Sequence, residues 1–488
     1  MTIINKSLYP VSSTLSTITS MHKKLENLQL QLSSGNKYNT LAEMGGDRVH
    51  DINLRNRLSR IEGYQANILT VENRLSFYTN GLERLDEIEE SARALAVPNA
   101  YGTDGINLTN ARNQATNLLK EVIDVLNTDI TGQFIFGGNK SDTKPVSSFE
   151  AIMNGPNGFV RYTQTRNNAD MGTVAGNSGR LDQLLATDTI TLTEDGDHEF
   201  GFKIASVTTT GTAVTGATAP LDPLLPDAEQ VATITATGVP ANGDTVTIGI
   251  TFPHDRDTVR YFTFTATDTD PVPTGGFAIG ADAEETAANL NTAIADKLAS
   301  LTKTDLRSSS TYAAADGFFN GMGEAQDANA NVWYNGQDST NPRQSVSANI
   351  DENTKTQYGV QANEKGFVEL IKGLAVFSVS ELSPLDEENA GRYDALVSIQ
   401  RSRLSEDNNA QPGAIEVITM ELGIAASTVN TVKERHSQYG AQLQTMLAEI
   451  SEAPREEVAM MLLTLQTQLQ ASYQATAMAS QLTLVNYL

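Results

Sequence analysis

From Ile415 to Ile450 apolar side chains recur three and four residues apart without interruption. The series is Ile415, Ile418, Leu422, Ala425, Val429 and Val432, then His436, Tyr439, Leu443, Met446 and Ile450. A 3–4 repeat sustained over about five heptads confines the backbone to one helix with an apolar edge, about 54 Å long at 1.5 Å per residue. A helix of that length needs a partner along its edge. Pro412 lies just before it and Pro454 just after it, positions that a helix end tolerates.

Partners are available at the other end of the chain. Ile18, Met21, Leu25, Leu28 and Leu32 form a short heptad edge that Gly35 should stop. A longer stretch carries Leu54, Leu58, Ile61, Ile68, Val71, Leu75, Tyr78, Leu82, Leu85, Ile88, Ala92 and Leu95, with no proline before Pro98. A third, after an Asn99–Gly105 loop, carries Leu108, Ala111, Ala115, Leu118, Val122 and Val125. The last 31 residues, Val458–Leu488, have no charged side chain; Leu462, Leu465, Leu469, Tyr473, Thr476, Ala479 and Leu482 form their edge. Neither terminal segment has apolar area enough to order itself, so each needs the other and neighbouring copies, with the tails ordering on polymerisation.

The middle reads differently. Thr189–Thr193, Val231–Ala236, Thr245–Phe252 and Val259–Thr265 alternate threonine with apolar residues, and Val246, Ile248, Ile250 and Phe252 hold strict period two. Asp282 and Glu285 form an acidic capping box for a helix carrying Ala287, Leu290, Ile294, Leu298 and Leu301. Residues 181–300 hold 18 Asp/Glu against four Lys/Arg, so more than half of the chain's net charge of −25 sits there. A Thr-rich acidic module of this kind should face solvent.

A polyanion of this size excludes general nucleic-acid binding. Without cysteine there is no disulfide framework, thiolate zinc site or thiol catalysis. Met1–Leu15 lacks a signal peptide's basic and apolar regions, and no run approaches 18 apolar residues, so neither ordinary signal-directed export nor membrane insertion is expected. No phosphate loop, HExxH helix or GxSxG elbow occurs, and no enzyme activity, cofactor or metal is expected. The histidines His22, His50, His198, His254 and His436 are scattered; His436 reads as a core or register-setting polar residue. Glu194–Glu199 has a passing likeness to a calcium loop but lacks its spacing and reads as a solvated hairpin turn. Gly132, Gly137 and Gly138 around Phe134-Ile135-Phe136 follow a helix, which suits a helix stop feeding a hairpin better than a phosphate cradle.

With these segments in view, the chain resembles the flagellin family. Leu25–Gly35 (LENLQLQLSSG) is similar to that family's L…LSSG segment. Gly132–Asn139 (GQFIFGGN) resembles a strand of its hook-associated branch, as do the ending Leu469–Thr476 with Ser480–Leu488, and Trp333–Gly336 followed by Tyr358–Val360 and Ala362–Glu364. The opening Met1–Asn5 departs from the start most common in that branch, and the acidic insert matches no motif. The resemblance implies a structural subunit of the bacterial flagellum, extracellular, leaving the cell unfolded through the flagellar type III apparatus. It would form the junction layer between hook and filament. Implied partners are copies of itself in a ring or tube, flagellin, an adjacent hook-associated protein, and an export chaperone on the C-terminal segment. A filament-forming flagellin is the alternative, and a type III tip or translocator protein a further one.

The expected architecture is multidomain α plus β: long antiparallel coiled-coil rods from both termini and a β-rich central excursion. The expected segments are a terminal coil 1–35, a rod and hairpin 36–147, a central region 148–385 with an insert at about 186–301, a second rod 386–453 and a terminal coil 454–488. The expected assembly contacts are Ile18, Met21, Leu25, Leu28, Leu32, Leu462, Leu465, Leu469, Tyr473, Leu482 and Leu488. Leu75, Leu82, Leu85, Leu422, Val429, Val432 and Leu443 are the expected rod core.

Overall fold

A computed structural model describes residues 9–97, 108–172, 178–221, 229–320, 331–380, 382 and 387–485. Three helices come first, α1 (Tyr9–Ser34), α2 (Asp47–Leu95) and α3 (Leu108–Leu126), then a hairpin of β1 (Asp129–Ile130) and β2 (Gln133–Phe134). α4 (Phe149–Asn154) and α5 (Phe159–Met171) lead into β3 (Leu181–Ala186), β4 (Thr189–Glu194), β5 (Lys203–Thr209), β6 (Val214–Pro220), β7 (Gln230–Ala236), β8 (Thr245–Phe252), β9 (Asp255–Thr267) and β10 (Gly276–Ala278). α6 (Ala283–Leu301) continues through a π turn into α7 (Arg307–Phe319). β11 (Ser347–Asn349) and β12 (Lys355–Gln357) precede α8 (Lys365–Val379), α9 (Glu387–Arg403), α10 (Glu406–Asn409), α11 (Ile415–Ser451) and α12 (Arg455–Val485). The chain is thus a mixed α and β multidomain protein, in two compact units.

The first unit comprises residues 1–72, 348–356 and 427–488. In it α2 and α11 run antiparallel: Leu443 packs with Leu54 and Ile61, and Lys433 Nζ meets the Glu72 carboxylate at 2.8 Å. By length and composition alone α11 could cross a membrane, with an 18-residue window of mean hydropathy 1.2. The sequence edge of α11 shifts near its end. Tyr439 and Met446 are exposed, and Leu447, off the sequence edge, joins Ile450, on it, in the packing beside Leu443. A straight helix turns once per 3.6 residues, so a strict seven-residue stripe drifts around it.

The second unit comprises residues 73–347 and 357–426. Residues 181–279 supply two four-stranded sheets, ordered β3-β4-β7-β6 and β10-β9-β8-β5, antiparallel except for the β10–β9 pair. One core joins both sheets to α6: Ile190, Leu192 and Ile234 from the first, Val246, Ile248 and Ile250 from the second, Leu290 and Ile294 from the helix. Cross-strand threonine pairs, Thr189 with Thr235 and Thr247 with Thr263, bond through their hydroxyls at 3.1 and 2.9 Å, which gives the threonine enrichment a role on the sheet faces. The capping box forms: Asp282 Oδ1 accepts from the Glu285 N–H at 2.9 Å, and Glu285 reaches back to the Ala281 N–H.

Three expectations change. Strands do not fill 148–385: α5, α7 and α8 occupy its flanks, and α7 buries Ser308–Ala315 on every side, so no apolar stripe announces it. Glu194–Glu199 is not a solvated hairpin turn, because β4 and β5 belong to different sheets. Glu194 is buried, accepting from Lys203 Nζ at 3.0 Å and the Ile204 N–H at 2.7 Å, while Asp195 pairs with Arg180 and His198. On α3 the buried line passes through Leu119, Val122, Ile123 and Leu126, leaving Leu118 and Val125 half-buried.

Candidate assembly interface

α1 and α12 pair antiparallel within the first unit. Leu28, Val458 and Leu465 are buried together, with Met21, Leu25 and Leu462 half-buried against them. Ser472 Oγ reaches Met21 Sδ at 3.9 Å, and His22 Nε2 meets the Tyr473 hydroxyl. Ile18 and Leu469 are also buried. α1 stops where expected: Gly35 takes φ +75, a left-handed conformation that suits glycine, and its N–H bonds back to the Gln31 carbonyl. The two reversals then lie side by side. The Ala453 N–H donates to the Gly35 carbonyl and the Lys37 N–H to the Ser451 carbonyl, tying the α1–α2 link to the α11–α12 link.

This pairing uses one edge of each helix. Leu15, Leu30 and Leu32 on α1, and Met460, Met461, Leu463, Tyr473 and Met478 on α12, remain exposed. Leu32 therefore stands outside the closed α1–α12 contact, while Tyr473 touches α1 through His22 and keeps the rest of its ring exposed. Leu488 and the side chain of Leu482 lie outside the described residues. A helix with no charged side chain after Glu457 and large apolar groups on its outer side is a surface suited to further helices. Of the expected rod core, Val429, Val432 and Leu443 are buried in the first unit and Leu75, Leu82, Leu85 and Leu422 in the second.

Sequence reasoning missed the strap over α2 and α11. Residues 348–356 cross beside His436, whose Nε2–H donates to the Ile350 carbonyl at 2.9 Å and whose ring stacks on Tyr64 at 5.6 Å. Asp351 pairs with Arg435, and Asn67 Nδ2 donates to the Asn349 carbonyl at 3.1 Å. The Asp351-Glu352-Asn353 turn was the available signal, but its targets, Arg435 and His436, lie 84 and 85 residues after Asp351.

In the second unit, three of the segments similar to the hook-associated branch lie close to one another. The Gly138 N–H donates to the Val360 carbonyl at 3.1 Å and the Ala362 N–H to the Phe136 carbonyl at 2.8 Å. The Gln337 N–H bonds to the Gly137 carbonyl, and the Ser147 N–H to the Trp333 carbonyl. Phe136 sits edge-on between Tyr78 and Phe367, and the Tyr78 hydroxyl donates to the Ile135 carbonyl at 2.8 Å. A side chain at Gly81 would press its Cβ to 3.0 Å from Phe136. Burial pushes the Glu364 carboxyl above its usual range, opposed by Arg343, which pairs with it.

Nearby in sequence, α7, α8 and α9 are joined by a charge network. Lys372, almost wholly buried, bonds Asp316 and Glu369 at 2.9 and 2.7 Å, and Arg403 bonds the same two carboxylates at 2.6 and 3.2 Å. Burial works against ionised Asp316, but the Arg403 and Lys372 charges hold its pKa below the ordinary value. Among the described residues no group of three or more His, Asp or Glu side chains is arranged to hold a metal ion.

The chain has no match among curated proteins. Residues 4–141 match the family model for the bacterial flagellin N-terminal helical region, which spans α1, α2, α3 and the β1–β2 hairpin and supports the flagellin family, and with it a flagellar structural subunit.

Proposed function

We propose that this protein is a junction subunit of the bacterial flagellum, of the hook-associated protein 3 type, forming a short layer between hook and filament. The observation that carries the finer reading is the pairing of Gly132–Asn139 with Tyr358–Glu364, beside Trp333–Gly336, which is bonded to Pro145–Ser147 just after the first stretch. Two stretches similar to one branch, more than 200 residues apart, are bonded backbone to backbone, and the third is bonded to the chain that continues from the first.

In this reading α1 with α12 and α2 with α11 act as antiparallel coiled-coil rods. Residues 1–35 and 454–488 form the terminal coils, 36–147 and 386–453 the rods, and 148–385 the outward region. The exposed apolar side of α12 takes up neighbouring copies, with flagellin on one face of the layer and an adjacent hook-associated protein on the other. Before assembly the C-terminal segment, charge-free from Val458 onward, is held by an export chaperone, and the chain leaves by the flagellar type III route to an extracellular site. No enzymatic step enters this role.

Immunogold labelling of flagella tests it. A label confined to the distal end of the hook is the expected result. Labelling along the shaft would transfer the protein to the filament as a flagellin, and absence of label from flagella would overturn both readings.

A further inference from the structure

A cavity of about 380 Å³ opens in the second unit among α3, α4, α5, α7, α8 and α9. Three arginines line it, Arg112, Arg307 and Arg392, with no Asp or Glu among the described lining residues. In a chain of net charge −25 that local excess of positive charge runs against composition. Arg112 is held in place by donating Nε to the Ser378 carbonyl at 2.8 Å. Arg307, exposed on the first turn of α7, forms no ion pair with any described residue.

Two further groups point to a ligand. Thr163 Oγ1 and Asn167 Oδ1, one turn apart on α5 in residues that line the cavity, are shielded from solvent and have no hydrogen-bond partner among the described residues. Thr163 is 5% exposed. Its neighbour Thr165 on the same helix, and Thr311 on α7, satisfy their hydroxyls by bonding the carbonyl four residues back. Thr163 forgoes that local bond, although buried polar groups are nearly always paired. Asn167 Oδ1 is an acceptor and needs an O–H or N–H donor. A guanidinium fork fits a carboxylate. Phe149 and Val160 add an apolar wall that suits the C–H face of a ring.

We propose that this cavity binds a small hydroxylated carboxylate of the uronic-acid class. Arg307 and its neighbours hold the carboxylate, and Thr163 and Asn167 hold ring hydroxyls. A free sugar acid and the end of an acidic polysaccharide present the same chemistry.

Titration calorimetry on the full chain at low salt tests this with galacturonate, digalacturonate, galactose and acetate. Galacturonate is expected to bind at least about tenfold more tightly than galactose, which lacks the charge, or acetate, which lacks the hydroxyls. Tighter binding of digalacturonate assigns the site to a chain end; weaker binding assigns it to the free acid. Arg307→Gln and Thr163→Val should each weaken galacturonate about tenfold or more. Thr163→Val should also leave the melting temperature unchanged or raised, since it removes an unpartnered buried hydroxyl. No binding of either uronate in the millimolar range overturns the proposal. So does binding that both variants leave intact, or a Thr163→Val chain that melts earlier while binding galacturonate normally.

Discussion

Leu465→Asp tests the α1–α12 pairing at its centre. Burying Leu28, Val458 and Leu465 contributes roughly 1.5–3 kcal/mol each, so about 5–9 kcal/mol of apolar burial closes the cluster. The substitution removes one such share and sets a carboxyl group among the remaining apolar side chains, at a further cost of at least about 1–3 kcal/mol, the mutational figure for an uncharged polar group. Together these take at least roughly 3–6 kcal/mol, most of what those three side chains contribute. Lys24 lines the same groove as Leu465 and offers the new carboxylate a partner. The double variant with Lys24→Gln removes that rescue and should be the more severe. Hydrogen exchange on the soluble full chain reads the effect, because α1 and α12 pair within one chain instead of waiting for polymerisation, as the sequence leads one to expect. Amides of α12 should lose protection while those of α8, in the other unit, keep theirs. Cells carrying the variant should fail to incorporate the protein into flagella. Wild-type protection of α12 in both variants, or normal incorporation of Leu465→Asp, would refute the reasoning.

Three further outcomes follow from other parts of the molecule. Burial, reinforced by Arg403 and Arg260, pushes His254 down from 6.5 to about 4, so the folded state binds fewer protons there than the unfolded chain. This stabilisation is complete above pH 6.5 and is lost as pH falls towards 4, by at most about 3 kcal/mol at roughly 1.4 kcal/mol per pH unit; urea melts across that range should show the loss, and His254→Gln should flatten it. Asp316→Ala strands buried Lys372 with half of its partners and should cost about 3–5 kcal/mol in urea denaturation, a loss under about 1 kcal/mol refuting the role given to the network. Excising residues 181–301 behind a short Gly-Ser link should spare flagellar incorporation. The chain enters and leaves the module at adjacent points, a Cβ at Gly179 falling 2.6 Å from Leu306 Cδ2. Loss of incorporation would make the module part of the structural wall.

What could be read from the sequence was whatever repeats over short distances. Gly35, Pro412 and Pro454 marked helix limits because a left-handed residue or a missing N–H acts within one turn. Val246, Ile248, Ile250 and Phe252 marked β8 because one face of that strand enters the core. α7 and α8 escaped for the opposite reason. Ser308–Ala315 and Phe367–Ser378 are buried around most of the helix, so no polar face sets a period. Strap, network and cavity escaped because their members are distant in sequence: Ile350 and His436, Asp316 and Arg403, Arg112 and Arg392. Tyr473 shows the limit for the interface itself. Its spacing places it on the α12 edge, yet it touches His22 while remaining 48% exposed. Periodicity identifies a face that must be covered, but the chain's own fold covers part of it and leaves the remainder for another molecule. The exposed Met460, Leu463 and Met478 mark that remainder, and they lie off the edge that the repeat identified. An assembly surface on a two-helix pair is therefore found by subtracting the intramolecular contact from the apolar total, which the sequence alone does not permit.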